Sequence, residues 1–112
     1  MKIIREAGGI PLFKTNVPQT MLAFECANPL WGRTTNPFSP NHTCGGSSGG
    51  EAAVLAMDGS SLGFGSDIGG SLRIPAHYCG IYSLKPGHGR ISTGGARGVS
   101  VNYPVRLLIR RP

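Results

Sequence analysis

Charge is scarce in this chain. Only 14% of its 112 residues are Asp, Glu, Lys or Arg, against about a quarter in an ordinary globular protein. No apolar run approaches the ~20 residues that a bilayer-spanning helix needs. Residues 1–6 carry no signal-peptide hydrophobic region. The three cysteines, Cys26, Cys44 and Cys79, are too few for a disulfide framework, so reduced thiols in an intracellular, cytoplasmic setting are expected. Glycine and proline are plentiful instead, at eighteen and nine residues. The glycines lack the three-residue period of collagen, and half of them lie within residues 45–70.

The net charge of +6 raises the question of nucleic acid. Its distribution argues against that partner. Residues 97–112 hold Arg97, Arg106, Arg110 and Arg111 and no acid, so most of the excess sits in this stretch. No interleaving of aromatic and basic residues and no nucleic-acid motif accompanies it, and a solvated end is the expected reading. A non-catalytic basic protein that binds through this tail is the alternative.

Helix and strand signals alternate along the chain. Residues 1–7 read as helical turns stopped by Gly8. Residues 9–14 (GIPLFK) read as a short apolar strand, and residues 16–23 as a turn opening a helix. Residues 28–44, rich in Asn, Pro, Thr and Ser, read as a long loop. Residues 51–57 (EAAVLAM) form the strongest helix signal, with an acid in the first turn and Asp58-Gly59 as the stop. Strands are expected at 61–65 and 81–85, with a short helix at 72–78 interrupted by Pro75. This order predicts an α/β layer with an internal sheet. Three short strands would leave bare sheet edges, so the chain reads as a slice of a larger α/β domain.

The feature that carries chemistry is the block GGSSGGEAAVLAMDGSSLGFGSDIGGSLRIP at residues 45–75. It contains two Gly-Gly-Ser units, each leading into a helix signal. Paired glycines before a helix let several backbone N–H groups converge at its positive end, which suits a phosphate or a developing oxyanion. A phosphate loop needs a Lys followed by Ser or Thr; here Gly70 precedes Ser71-Leu72-Arg73, and Gly50 precedes Glu51, which would repel phosphate. The oxyanion reading remains, with Ser71 beside its own nest of N–H groups. Residues 45–49 and 59–63 also match G-x-S-x-G, but neither follows a strand and opens a helix as a nucleophile elbow must.

The stretch 45–76 resembles, position by position, the signature of the amidase signature family of serine hydrolases. The likeness extends upstream through KTNVPQ (14–19) and NPLWGRTTNP (28–37), and downstream through CGIYSLKP (79–86). The phrasing is most similar to fungal acetamidases, general amidases and fatty acid amide hydrolases. The resemblance implies an α/β fragment of the amidase-signature fold, a mixed sheet covered by helices. It implies a Ser–cis-Ser–Lys triad in which Ser71 is the nucleophile and Ser47 the bridging serine. The N–H groups of Ile68, Gly69, Gly70 and Ser71 would form the oxyanion hole, with Ser48, Asp67 and Arg73 as structural support. The expected reaction is cleavage of a small-molecule carboxylic amide through an acyl-enzyme, without cofactor or metal. Oligomeric state and the membrane association of a full-length relative are left open.

The family's catalytic lysine lies in an earlier segment that nothing here matches: Lys2, Lys14 and Lys85 all stand in other contexts. The expectation is therefore a partial domain at 1–96 that lacks the lysine segment, followed by a basic tail at 97–112, and no activity for the chain by itself. Asp67 is expected to shape the nest rather than to act as an acid, and Arg73 to pair with Asp67 or Glu51. The two His-x-Cys units, His42 to Cys44 and His77 to Cys79, lack usual zinc spacing. Trp31 and Phe38 could line an acyl channel or cap an exposed core face.

Overall fold

The computed structural model describes residues 2–92 and 105–109. The element order is α1 (Lys2–Glu6), a 3-10 turn (Gln19–Met21), β1 (Ala27–Asn28), β2 (Gly32–Arg33), β3 (Thr35–Asn36), β4 (Ser39–Thr43), α2 (Gly49–Ala56), β5 (Leu62–Ser66), α3 (Arg73–Tyr78), β6 (Tyr82–Leu84) and β7 (Val105–Ile109).

The best helix signal becomes α2. Its Ala- and Leu-rich body favours helix, and Glu51 sits in its first turn. It ends where Asp58 adopts a left-handed φ of 61°. The Asp58 N–H then donates to the Leu55 carbonyl at 3.2 Å and the Gly59 N–H to the Val54 carbonyl at 2.9 Å. These bonds satisfy carbonyls that the helix end leaves open. α3 runs through Pro75 rather than being interrupted there. Pro75 is its third residue, where an N–H would have no intrahelical partner, so the missing donor costs nothing.

Three strands form one sheet in the order β5-β7-β6, with β7 antiparallel to both neighbours. β5 and β6 therefore run parallel to each other, connected through α3 as a crossover, with β7 between them. The ladder pairs Leu62 with Ile109 and Tyr82 with the same residue. The sequence reading has no strand at 105–109; Arg106 lies within β7, while Arg97, Arg110 and Arg111 lie outside the described residues. α2 packs on β5 and α3. Leu55, Leu72 and Ala76 form one buried cluster, flanked by Val54 and Ile81. Cys26, Cys44, Ala52, Ala53 and Cys79 form a second.

Three local expectations change. Residues 9–14 form no strand, since among the described residues no strand lies beside them to pair with; Ile10, Leu12 and Phe13 are exposed. The helix at 16–23 shrinks to the 3-10 turn, because Thr20 and Met21 adopt φ of 60° and 57°. The loop at 28–44 holds two small hairpins, β1–β2 and β3–β4. Their turns are made by asparagines. Asn28 Oδ1 accepts from the N–H groups of Leu30 and Trp31 at 3.0 and 2.8 Å, and Asn36 Oδ1 from Phe38 at 3.0 Å.

Asn16 straps these hairpins to α2. Its Nδ2 donates to the Thr34 hydroxyl at 3.0 Å, and its carbonyl accepts from the Gly50 N–H at 3.2 Å. The approach at Gly50 is so close that a Cβ there would lie 2.5 Å from the backbone N and O of Asn16. Gly50→Ala is expected to cost ~2 kcal/mol in urea unfolding, in the range of overpacked sites. Gly87→Ala, whose Cβ would meet only the end of Arg90 at 3.9 Å, should unfold at or slightly above the wild-type midpoint.

Candidate active site

The two Gly-Gly-Ser units lie next to each other in space although 24 residues separate Ser47 from Ser71. The joint is one backbone bond: the Ser48 N–H donates to the Ser71 carbonyl at 2.9 Å. Each unit is built differently. In the first, the Gly46–Ser47 peptide bond is cis. A Cβ at Gly46 would lie 2.8 Å from the carbonyl oxygens of Ala23 and Glu25, so only glycine fits against that segment. Ser47 is 2% exposed and Ser48 5%. The Ser48 hydroxyl accepts from the Ser66 N–H at 3.3 Å and lies 3.4 Å from the Ser66 carbonyl, to which it donates. The first loop is thus tied to the end of β5.

The second unit wraps around Asp67, whose side chain is fully buried. Its Oδ1 accepts from the Gly70 N–H at 2.9 Å, and its Oδ2 from the N–H groups of Leu72 and Arg73 at 3.3 Å. The Arg73 guanidinium closes the arrangement as a fork, with Nε at 2.9 Å from Oδ2 and Nη2 at 2.9 Å from Oδ1. Burial by itself would raise this carboxyl. The Arg73 bond and the N–H donors of Gly70, Arg73 and Leu72 outweigh it and hold Asp67 down at about 2. An ionised carboxylate at the centre of the turn fixes the direction of the three N–H groups that donate to it. Gly70 takes φ +123°, a conformation L side chains rarely adopt.

The remaining N–H groups of this turn are free to serve a ligand. Among the described residues, those of Ile68, Gly69 and Ser71 have no acceptor, whereas that of Gly70 is engaged by Asp67. Ile68 and Gly69 are exposed, and Ser71 is half-buried at the start of α3. Lys14 and Lys85 are exposed, and Lys2 reaches Glu6 at 3.8 Å. Among the described residues, none of the three lysines hydrogen-bonds Ser47 or Ser71. Arg73 pairs with Asp67 rather than Glu51. Glu51 instead accepts from the Thr15 hydroxyl at 2.6 Å and the Phe64 N–H at 3.2 Å, joining β5 to the segment before the 3-10 turn.

Sequence reasoning missed Asn16, Thr15 and Ser66 as parts that hold the first loop. Their partners lie 18 to 36 residues away, a separation at which no local spacing signals contact. The His-x-Cys units are not drawn together as ligands: the His42 ring pairs with the Ser39 hydroxyl at 2.7 Å, and the His77 ring lies beside Tyr78.

The family model described as Amidase matches residues 1–105. Fatty-acid amide hydrolase 1 of Sus scrofa is 49% identical over 98 residues, covering 88% of this chain and 17% of the relative. The acetamidase of Aspergillus oryzae is 50% identical over 93 residues, covering 83% and 17%. Among solved structures, 6-aminohexanoate cyclic dimer hydrolase bound to its substrate superposes with a TM-score of 0.92 at 38% identity, over 97% of this chain and 23% of that one. A fatty acid amide hydrolase gives 0.86 at 40% identity, over 97% and 20%. The chain thus spans about a fifth of the length of these relatives.

Proposed function

The chain belongs to the amidase signature family, as a fragment of its α/β fold, and on that premise we propose that it carries the nucleophile side of an amide hydrolase. The observation that carries this reading is the 2.9 Å bond from the Ser48 N–H to the Ser71 carbonyl, which fastens the two serine loops together. In the proposed reaction Ser71 Oγ attacks the carbonyl carbon of a linear carboxylic amide. Its proton passes through the Ser47 hydroxyl to a neutral base. The developing oxyanion is received by the N–H groups of Ile68, Gly69 and Ser71, because the Gly70 N–H that the resemblance would add is held by Asp67. The C–N bond then breaks, the amine departs with the proton, and water releases the acid from Ser71.

An amine is a poor leaving group, so the base must hold a proton long enough to deliver it to nitrogen. A desolvated lysine can do this, and none of the three lysines in these residues is placed for it. The proposal therefore assigns the base to a segment of the kind the relatives carry, and assigns no turnover to residues 1–112 alone. No cofactor enters the scheme.

The test is a chimera in which this chain replaces the matching stretch of the Aspergillus oryzae acetamidase. Hydrolysis of the relative's own amide, with Ser71 labelled by a fluorophosphonate probe, is expected. A folded chimera that is neither active nor labelled overturns the assignment. The 112-residue chain alone should remain unlabelled, and labelling at Ser71 would overturn the claim that it needs an outside base.

A further inference from the structure

Ser48 and Glu51, three residues apart at the start of α2, match the pattern of a capping box. In that motif the serine hydroxyl takes the N–H three residues on, and the glutamate reaches back to the serine N–H. Neither bond is made among the described residues. Ser48 is the N-cap of α2 without a side-chain cap bond, and its N–H goes to the Ser71 carbonyl. Both side chains turn to β5 instead.

β5 has β7 on one edge and, among the described residues, no strand on the other. At the edge away from β7 the Ser66 N–H donates to the Ser48 hydroxyl at 3.3 Å, and the Phe64 N–H to Glu51 Oε1 at 3.2 Å. Residues 64 and 66 are alternate positions of a strand, and 48 and 51 lie one helical turn apart, so the two periods meet over this short span. Glycines make room for the approach. A Cβ at Gly63 would lie 2.5 Å from Glu51 Oε1 and 2.7 Å from its Cγ, and a Cβ at Gly65 would lie 2.8 Å from Ser48 Cβ. The Thr15 hydroxyl holds the other carboxylate oxygen at 2.6 Å, which fixes the direction of the Glu51 side chain. The first turn of α2 thus stands where a neighbouring strand would, and binds β5 at two points.

The two serines of the proposed reaction flank this clamp. Ser47 precedes Ser48 by one residue, and Ser71 follows Ser66 by five. A single contact would let β5 pivot or slide, and a slip of one residue moves a strand by about 3.3 Å and turns its side chains to the other face. The Ser48 bonds to Ser66 are long, at 3.3 and 3.4 Å. Glu51 supplies the second point.

We propose that Glu51 is a positioning residue for amide hydrolysis: through the Phe64 N–H it fixes β5 and so places Ser71 against Ser47. This inference rests on the hydrolase reading, and Glu51 acts through β5 rather than on the reacting atoms. The role needs reach and an acceptor oxygen, not charge. Glutamine keeps both, and its amide can donate to the Thr15 hydroxyl. Aspartate keeps the charge, which suits a first helical turn, but is one methylene too short.

The test compares Glu51→Asp and Glu51→Gln in the acetamidase chimera by steady-state kinetics on folded enzyme. Glu51→Asp is expected to lower kcat ~10-fold with KM within ~2-fold, the mark of a misplaced reacting group. Glu51→Gln should stay within ~2-fold of the parent in both constants. In the 112-residue chain, hydrogen exchange at the Phe64 amide should quicken by at least ~10-fold in Glu51→Asp and hold in Glu51→Gln. An active parent chimera in which Glu51→Asp keeps its kcat, whatever its urea midpoint, overturns the inference and leaves the hydrolase reading standing. So does a Glu51→Gln loss as large as that of Glu51→Asp, a loss carried by KM, or equal Phe64 exchange in all three chains. An inactive parent chimera removes the hydrolase reading and this inference with it.

Discussion

Replacing Ser71 by alanine in the acetamidase chimera is expected to lower kcat by ~10^6-fold with little change in KM, the signature of losing a group that acts only in the transition state. Steady-state kinetics on the folded variant checks this. Ser71 lies at the junction of a turn in which three N–H groups donate to a buried carboxylate and a loop carrying two buried serines, Ser47 and Ser48. Removing its Oγ removes the proposed bond-forming atom and leaves the scaffold intact, because the Ser71 contact to Ser48 is made by its backbone carbonyl. Ser47→Ala, which would interrupt the proton path and leave the nucleophile in place, should cost ~10^3-fold, within the range of general acid–base terms. Fluorophosphonate labelling should vanish in the first variant and slow in the second. Equal losses in kcat/KM for both, carried entirely by KM, would show these serines to be binding residues instead.

Asp67→Ala is expected to destabilise the chain by ~3 kcal/mol, a drop in unfolding midpoint of roughly 10–20 °C for a protein of this size. The carboxylate is the shared acceptor for three backbone N–H groups and for Arg73, and alanine leaves the buried donors without partners. The pH dependence follows from the same contacts. Asp67 is held at about 2 in the folded chain against an ordinary 3.8. A depressed carboxyl stabilises the fold above its unfolded value and loses that contribution as pH falls through its folded one. Stability should therefore decline by ~2 kcal/mol between about pH 4 and pH 2. Glu25 is also held low: burial raises it, but bonds from Thr43, Cys26 and Arg33 prevail. It contributes in the same direction, so the difference between wild type and Asp67→Asn isolates Asp67. Urea unfolding across this pH range should show a shallower acid limb in the variant, and identical limbs would remove Asp67 from the account.

Local signals served well where the cause is local. α2 forms where Ala, Leu and an early Glu favour helix, and it ends at Asp58-Gly59 because the chain turns left-handed there. β5 and β6 coincide with short β-prone runs between turns. The hairpins at 27–43 were hidden because strands of two to five residues leave no period to read. Their turns rest on single asparagine side chains bonding backbone two and three residues on. β7 was hidden for another reason. Its signal is a brief apolar run within a basic stretch, and only its two neighbouring strands, about 20 or more residues upstream, give it a place.

The same division holds for the site. The sequence by itself determined the chemical inventory: two Gly-Gly-Ser units, an Asp four residues before Ser71, an Arg two residues after it, and no lysine in the context the family uses. Residue type and close spacing suffice for these, since a glycine pair before a helix constrains the backbone over only a few residues. The tertiary structure decided which parts meet. It fastened Ser48 to Ser71 and to Ser66, gave Asp67 to Arg73 rather than Glu51 to Arg73, and gave Glu51 to Thr15 and Phe64. It also gathered three cysteines that lie 18 to 53 residues apart along the chain into one buried cluster. Contacts of that range are selected by packing α2 against the sheet and the hairpins together, and no segment read alone contains that choice.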